Sequence, residues 1–282
     1  MKQNVPPEKY KVKTLWISDV HLGTKDCKAE YLLDLLSRLE CETLFLVGDI
    51  IDLWAMQRRI YWPVSHNQVI RKILKLSKKG TKVIYIPGNH DYPARELAGE
   101  MFGKVEVHNH HIYKTVHGKK LLIQHGDEFD GVIRFPYFLR LIGDQFYSLL
   151  LFLNRWTNRL RTYFGYSYYS LASHIKTRVG KAEQAIRLFE DAAFQEVERQ
   201  NVDGIICGHI HHAAMIQRGN KLYCNDGDWV ESCTALVETR SGSLELLHWS
   251  DERSYLSQLT RYSASVEIIH INTTKKKLRK SA

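Results

Sequence analysis

Five short clusters of Asp, His and Asn recur along this sequence, and an apolar run precedes each of them. They are Asp19-Val20-His21, Gly48-Asp49, Gly88-Asn89-His90-Asp91, His125-Gly126-Asp127 and Gly208-His209-Ile210-His211. Carboxylate, amide and imidazole ligands without thiolates suit Mn, Fe or Zn in a hydrolytic site. A single Asp-x-His or Gly-Asp is a weak signal, but five such clusters in order predict one shared metal centre.

Strands are the elements that must position these clusters, because the preceding runs are short, apolar and rich in β-branched residues. The five predicted strands are Thr14–Ser18, Thr43–Val47, Lys82–Ile86, Lys120–Gln124 and Gly204–Cys207. In open α/β sheets, sites form beyond the carboxyl ends of strands, so all five clusters can converge. In extended chain, residues i and i+2 point the same way, which predicts that Asp19 faces the site together with His21. The same argument pairs His209 with His211.

The rest of the pattern predicts a mixed α/β fold. Glu30–Leu39 and Val69–Leu76 have the helical spacing of Leu and Ile expected of crossover helices between strands. His117–Gly118 separates two apolar runs as a hairpin turn does, so part of the sheet is expected to be antiparallel. Later strands are predicted at Lys221–Asn225, Cys233–Glu238 and Leu244–Trp249.

The chain is predicted to form one catalytic domain over residues 13–250, with a helical lid inserted at 129–200 and a C-terminal extension at 251–282. The insertion is rich in aromatic residues and contains Arg134, Arg155 and Arg159. One interpretation is a lid that forms an apolar pocket with arginines for phosphate groups, and another is ordinary helix packing. Basic and aromatic residues together also suit a membrane interface, whereas the Leu-rich stripe argues against nucleic acid.

Composition predicts a globular cytoplasmic protein that attracts anions. Hydrophobic residues make up 44% of the chain, yet no apolar run reaches the length of about 18 residues that a membrane-spanning helix needs. The net charge of +9, with five basic residues between Lys275 and Lys280, favours nucleic acid, phosphorylated substrates or an anionic lipid surface as partner, and a solvated tail is the alternative. Five cysteines without a C-x-x-C pair indicate a reducing compartment.

Together the clusters resemble the calcineurin-like metallophosphoesterases, whose pattern is D-x-H, G-D, G-N-H-D, an isolated H and G-H-x-H. The resemblance covers residues 13–250 and implies a two-sheet αββα sandwich with a two-metal centre at the strand ends. It implies that one metal is held by Asp19, His21, Asp49 and His211. The other would be held by Asp49, Asn89, His125 and His209, so Asp49 would bridge the two.

The resemblance also implies catalytic roles. His90 would stabilise the transition state or protonate the leaving oxygen, and Asp91 would hold the His90 imidazole. Two divalent ions bring four positive charges, and Asp19 and Asp49 cancel two of them, which leaves positive charge to bind a phosphate. Mn²⁺ is the expected ion, with Fe and Zn as alternatives.

Five further residues, at three places in the chain, have alternative interpretations. Asp127 is a candidate for contact with the substrate, and it otherwise orients His125 or caps the next helix. Asp228 and Trp229 either line the substrate pocket or belong to a plain turn. Asp52 and Trp54 either contact the substrate or support the site from behind.

Within the family, the helical insertion and the late Gly-Asp-Trp look most like the UDP-2,3-diacylglucosamine hydrolases of lipid A synthesis. That resemblance implies hydrolysis of a lipid-linked pyrophosphate by a cytoplasmic enzyme in peripheral contact with the inner face of the membrane. Those enzymes typically read G-N-R-D where this chain has His90, so a phosphodiesterase acting on nucleotides or nucleic acid is the alternative. A non-catalytic scaffold is a third class, although such a protein would be expected to lack part of the ligand set.

Overall fold

Two β-sheets lie face to face in the computed structural model, which describes residues 10–131, 156–157, 180–249 and 259–261. The strands are β1 (Tyr10–Ile17), β2 (Leu39–Val47), β3 (Lys82–Ile86), β4 (Met101–Phe102), β5 (Val105–Val107), β6 (His111–Lys114), β7 (Lys120–Ile123), β8 (Gly204–Cys207), β9 (Ala214–Arg218), β10 (Lys221–Asn225), β11 (Thr234–Glu238), β12 (Leu244–His248) and β13 (Leu259–Arg261). The longer helices are α1 (Ala29–Arg38), α2 (Leu53–Arg58), α3 (Val64–Lys78) and α4 (Gly180–Arg199).

Both sheets are mixed, as the sequence predicts. Within the described residues, the larger sheet has the order β13-β12-β11-β1-β2-β3-β5-β4, and the smaller has β6-β7-β8-β10-β9. Strands β1, β2 and β3 are parallel neighbours, and so are β7, β8 and β10. Because parallel strands end at one edge, the chain leaves β1, β2, β3, β7 and β8 where the five polar clusters can meet.

Three apolar layers hold the sheets and helices together and make the fold an αββα sandwich, as expected. Between the sheets, Trp16 stacks on Phe45 with ring centroids 5.8 Å apart, and Tyr113 meets Trp16 edge-on at 5.2 Å. On the other face of β1, Leu15 and Ile17 pack in the layer that contains the buried residues of α1 and α3. Since both faces of the strand are covered, its apolar run is continuous rather than alternating.

Helix α4 covers the outer face of the smaller sheet. Its Phe189, Ala193 and Val197 are fully buried in one cluster with Ile205 and Tyr223 of the sheet. These residues lie in the C-terminal part of the predicted insertion (129–200), so that part is a layer of the sandwich. Residues 132–155 and 158–179, with Arg134, Arg155 and Arg159, lie outside the described residues.

Two other features differ from the sequence-based expectation. The sequence pattern does not predict β4, β5 or β9; of these, Met101–Phe102 and Val105–Val107 are too short to give a periodic pattern. Strand β13 pairs with β12 beyond the predicted domain boundary at residue 250 and satisfies backbone groups of that edge strand. Among the described residues, no helix combines the length and the apolar character needed to cross a bilayer.

Replacing Phe189 by alanine is expected to lower the free energy of unfolding by about 3–5 kcal/mol, the usual cost of truncating a buried aromatic residue. The ring has no exposed surface and packs edge-on against Phe129 with centroids 5.3 Å apart. Urea unfolding measures the change. The neighbouring Leu188 is 40% exposed, so Leu188→Ala should cost less than about 1 kcal/mol. Equal costs would contradict the burial of Phe189 between α4 and the smaller sheet.

Candidate metal centre

The polar clusters at the strand ends adopt an unusual backbone conformation. Five of the proposed ligands have positive φ: Asp19 (49°), His21 (50°), Asp49 (54°), His209 (70°) and His211 (49°). The prediction that Asp-x-His and His-x-His converge because the chain is extended is therefore wrong. Left-handed conformations cost a non-glycine residue free energy and cluster at functional sites, where the surrounding structure enforces them.

These loops bring the proposed ligands together around two carboxylates. Asp19 Oδ1 lies 3.2 Å from His211 Nε2, and His21 Nε2 lies 3.9 Å from both Asp19 Oδ1 and Asp49 Oδ2. On its other side, Asp49 Oδ2 lies 3.4 Å from His125 Nε2. Three groups can each offer ligand atoms within 4.8 Å of one another: Asp19, His21 and His211; His21, Asp49 and His90; and Asp49, His125 and His209.

In Asp19 and Asp49, one carboxylate oxygen accepts a backbone N–H from another loop, and the other oxygen points toward the proposed metal centre. Asp19 Oδ2 accepts the backbone N–H of His209 at 2.8 Å, and Asp49 Oδ1 accepts that of His90 at 2.8 Å. Among the residues that the structure describes, Asp19 Oδ1, Asn89 Oδ1 and His125 Nε2 are buried without a hydrogen-bond partner. Buried polar atoms are rarely left unsatisfied, and a bound cation is one explanation when they converge. The donor set therefore fits divalent metal ions.

Three of the histidines follow the same pattern, because each uses one ring nitrogen for a protein contact. His21 Nδ1 donates to Asp52 Oδ2 at 3.0 Å, and His125 Nδ1 donates to the Val47 carbonyl at 2.9 Å. His209 Nε2 donates to Asp130 Oδ1 at 2.9 Å. Such partners orient metal-binding imidazoles and leave the second nitrogen available. Sequence reasoning missed Asp130, which stands in no motif.

The charges of the centre stabilise one another. Burial lowers the pKa of His21, but the hydrogen bond to Asp52 and the charges of Asp49 and Asp19 outweigh burial and raise that pKa to about 9. Burial raises the pKa of Asp49, yet the charges of His125 and His21 bring it well below its ordinary value. Without metal, protonated imidazoles therefore balance the carboxylates, and a divalent cation would displace those protons.

Asp52 is the carboxylate that supports both His21 and His90. Its Oδ2 accepts from His21, its Oδ1 lies 3.1 Å from His90 Nδ1, and Oδ1 also accepts the N–H of Ala55 at the start of α2. The prediction that Asp91 holds the His90 ring is wrong. Asp91 is buried and accepts backbone N–H groups of Asp49, Ile50, Ile51 and Gly88, so it fixes the shapes of two loops instead.

Replacing Asp52 by asparagine is expected to lower kcat/KM by about 10–100-fold, as is usual for residues that orient ligands. Asparagine can still accept from Ala55, so α2 should persist while the support of two imidazoles is lost. In the metal-free protein, the pKa of His21 should fall below about 9, because Asp52 is the largest contribution that raises it. NMR titration of the His21 ring measures this shift, and an unchanged pKa would contradict the assignment.

Glycines allow the loops to approach closely. A Cβ at Gly88 would clash with Asp49 Oδ1 and the His125 ring, and one at Gly208 would clash with Asp19 Oδ2. Any larger residue at either position would therefore push ligand atoms apart, which explains glycine in both motifs.

The structure also shows the contacts of the residues for which the sequence left alternatives. Asp127 pairs with Arg95 at 2.6 Å, so the idea that it orients His125 does not hold, since Val47 fills that role. Asp228 and Trp229 have no exposed surface, and Asp228 Oδ1 accepts the N–H groups of residues 230–232. Their prediction as substrate contacts is wrong, and the plain-turn interpretation is right. Trp54 is 46% exposed, and its ring centroid lies 4.5 Å from that of His90.

Known proteins resemble this chain over most of its length. The model of the calcineurin-like phosphoesterase family matches residues 12–213. A UDP-2,3-diacylglucosamine hydrolase of Porphyromonas gingivalis is 27% identical over 241 residues, covering 77% of this chain and 90% of that protein. Another from Psychromonas ingrahamii is 25% identical over 256 residues, covering 84% of this chain and 97% of that protein. The E. coli phosphoesterase Yfce aligns with a TM-score of 0.44 and 13% identity over 92% of this chain and 99% of that chain. This chain belongs to the calcineurin-like phosphoesterase family and is a metal-dependent hydrolase of phosphoric esters.

Proposed function

We propose that this enzyme hydrolyses a lipid-linked pyrophosphate, UDP-2,3-diacylglucosamine or a related compound, with two divalent metal ions. The observation that carries the two-metal proposal is the position of Asp49, which belongs to two separate groups of converging ligands. The substrate is supported by relatives from P. gingivalis and P. ingrahamii, which are named UDP-2,3-diacylglucosamine hydrolases and match over most of their length.

The proposed ligands are those that the motifs predict. Asp19, His21, Asp49 and His211 would hold one metal, and Asp49, Asn89, His125 and His209 the other. Histidine, carboxylate and amide donors favour Mn²⁺, with Fe or Zn as alternatives. When bound, the metals would polarise the phosphoryl oxygens and lower the pKa of an attacking water.

The protein's own groups would guide the reaction. His90, with 27% of its side chain exposed, stands at the rim of the centre with its Nδ1 beside Asp52. This placement supports a role in protonating or stabilising the leaving oxygen. Attack of water on the uridylyl phosphorus breaks the bond to the bridging oxygen and releases UMP and 2,3-diacylglucosamine phosphate. The arginines of the insertion, Arg134, Arg155 and Arg159, are proposed to contact the substrate.

A second candidate is a phosphodiesterase that acts on nucleotides or nucleic acid. His90 favours it, because the lipid A branch typically has arginine at this position, and so does the net charge of +9. The proposed location is the cytoplasm, in contact with the inner face of the cytoplasmic membrane.

The deciding experiment compares two substrates with the Mn-loaded protein. Rapid release of UMP from UDP-2,3-diacylglucosamine supports the lipid substrate, whereas hydrolysis of bis(p-nitrophenyl) phosphate alone keeps the phosphoesterase and discards that substrate. Metal analysis after dialysis should give two ions per chain, and one ion would contradict the bridging role of Asp49.

A further inference from the structure

One segment beside the metal centre carries a large excess of positive charge. Between Leu53 and His90 there are eight Lys and Arg residues and no Asp or Glu, so the segment alone carries +8. It comprises α2, the connection to α3, α3 itself and the chain through β3, and six of the eight cations lie between Arg58 and Lys78. A charge excess this local creates a field at one surface and attracts an anionic partner.

The basic residues of α3 form a stripe on the exposed face. Val64, Gln68, Arg71, Lys75 and Lys78 are exposed and follow one another at intervals of four and three, which places them on one side of the helix. The opposite side is buried against α1 and the larger sheet. Arg71, Lys75 and Lys78 make no ion pair with residues that the structure describes, and the groove beside them between α1 and α3 is lined without an acid.

Apolar residues project at one end of this stripe. Ile60 is 75% exposed and Val64 is 73% exposed, and Arg58 and Arg59 precede them. Exposed aliphatic side chains next to arginines are unfavourable in water but suit the boundary between headgroups and acyl chains. The phosphates of a nucleic acid would pair with the cations, but the exposed isoleucine and valine would add no favourable contact with it.

The apolar connection is held in shape by His66. The rings of Tyr61 and Trp62 meet the buried His66 ring edge-on, with centroids 5.7 and 5.6 Å away. His66 Nδ1 accepts the N–H of Gly23, which follows the ligand His21 closely. The connection is therefore preorganised, and it is anchored to a loop of the metal centre.

We propose that residues 58–64 and the Arg71–Lys78 stripe of α3 form a docking surface for a bilayer rich in anionic lipid. The cations lie over the headgroups, and Ile60 and Val64 enter the interface. Helix α3, about 22 Å long, would lie along the membrane plane. Docking on this surface holds the metal centre next to the membrane, where a lipid-linked substrate resides; the choice of a lipid partner rests on the proposed function.

Vesicle binding by the full-length protein tests the surface with matched variants. Arg71→Gln with Lys75→Gln is expected to weaken binding to phosphatidylcholine–phosphatidylglycerol vesicles about thirtyfold, since each basic residue near such a surface contributes about 1 kcal/mol. Ile60→Ser with Val64→Ser should weaken it about tenfold. The control pairs are Lys114→Gln with Lys120→Gln, and Ile112→Ser with Val116→Ser, which remove the same number of charges or aliphatic side chains at exposed positions of the β6–β7 hairpin. The controls should bind as the parent protein does.

Equal binding of surface and control variants would overturn the proposal. A second result would also overturn it: the charge variant alone loses vesicle binding, and the parent protein binds single-stranded DNA tightly. That result would assign the surface to nucleic acid. All four double variants should hydrolyse bis(p-nitrophenyl) phosphate normally. If the vesicle results are as expected but UDP-2,3-diacylglucosamine is not cleaved, the docking surface stands and the proposed substrate fails.

Discussion

Replacing Asp49 by asparagine is expected to lower kcat/KM at least about a thousandfold, which corresponds to about 4 kcal/mol of transition-state stabilisation. The side chain is 3% exposed, and its Oδ2 faces His125 on one side and His21 on the other. Asparagine has nearly the same shape and can still accept the His90 N–H at Oδ1. The variant therefore removes the negative charge and the shared ligand while it preserves the loop.

Metal content is the measurement that makes the Asp49 prediction specific. After dialysis, elemental analysis should find fewer ions in Asp49→Asn than in the parent protein, because both ligand groups share this carboxylate. Asp191→Asn is the matched control, since it makes the same substitution at an exposed position of α4 and should change neither quantity. Full metal content with full activity would place the centre elsewhere.

Replacing His90 by alanine is expected to lower kcat by about 10²–10⁴-fold, the usual contribution of a general acid or base. Its Nε2 lies 3.9 Å from Asp49 Oδ2, and its Nδ1 lies beside Asp52. Because the imidazole stands at the exposed rim, metal content should be unchanged. A fall in metal content would instead make His90 a ligand, a role that its place in the His21–Asp49–His90 group permits geometrically.

The leaving group separates proton transfer from simple charge stabilisation at His90. A phosphodiester with an alkyl alcohol as leaving group needs a proton and should lose more activity in His90→Ala than one with p-nitrophenol. Equal losses would favour stabilisation of the transition-state charge. His110→Ala, which removes an exposed histidine outside the centre, should leave both rates unchanged. Full activity of His90→Ala would remove this residue from the mechanism.

The sequence determined where the ligands lie along the chain and which elements carry them. Strands buried on both faces leave continuous apolar runs, so β1, β2, β3, β7 and β8 could be predicted directly. The clusters Asp19-Val20-His21 and Gly208-His209-Ile210-His211 follow those runs, and parallel strands end at the same edge. Such local patterns predict structure because the order of apolar and polar residues along an element reflects which of its faces are buried.

Only the tertiary structure decided which neighbour each group contacts. Asp91 follows His90 directly, but its carboxylate turns to the backbone of the Asp49 loop, while Asp52, 38 positions earlier in the chain, lies beside the His90 ring. Asp130 supports His209 across an even larger separation. The left-handed backbone of five ligands is likewise invisible in a sequence pattern, because it is imposed by loops that press against one another. Partners brought together by separate strands depend on packing, and packing is a property of the whole fold rather than of any one segment.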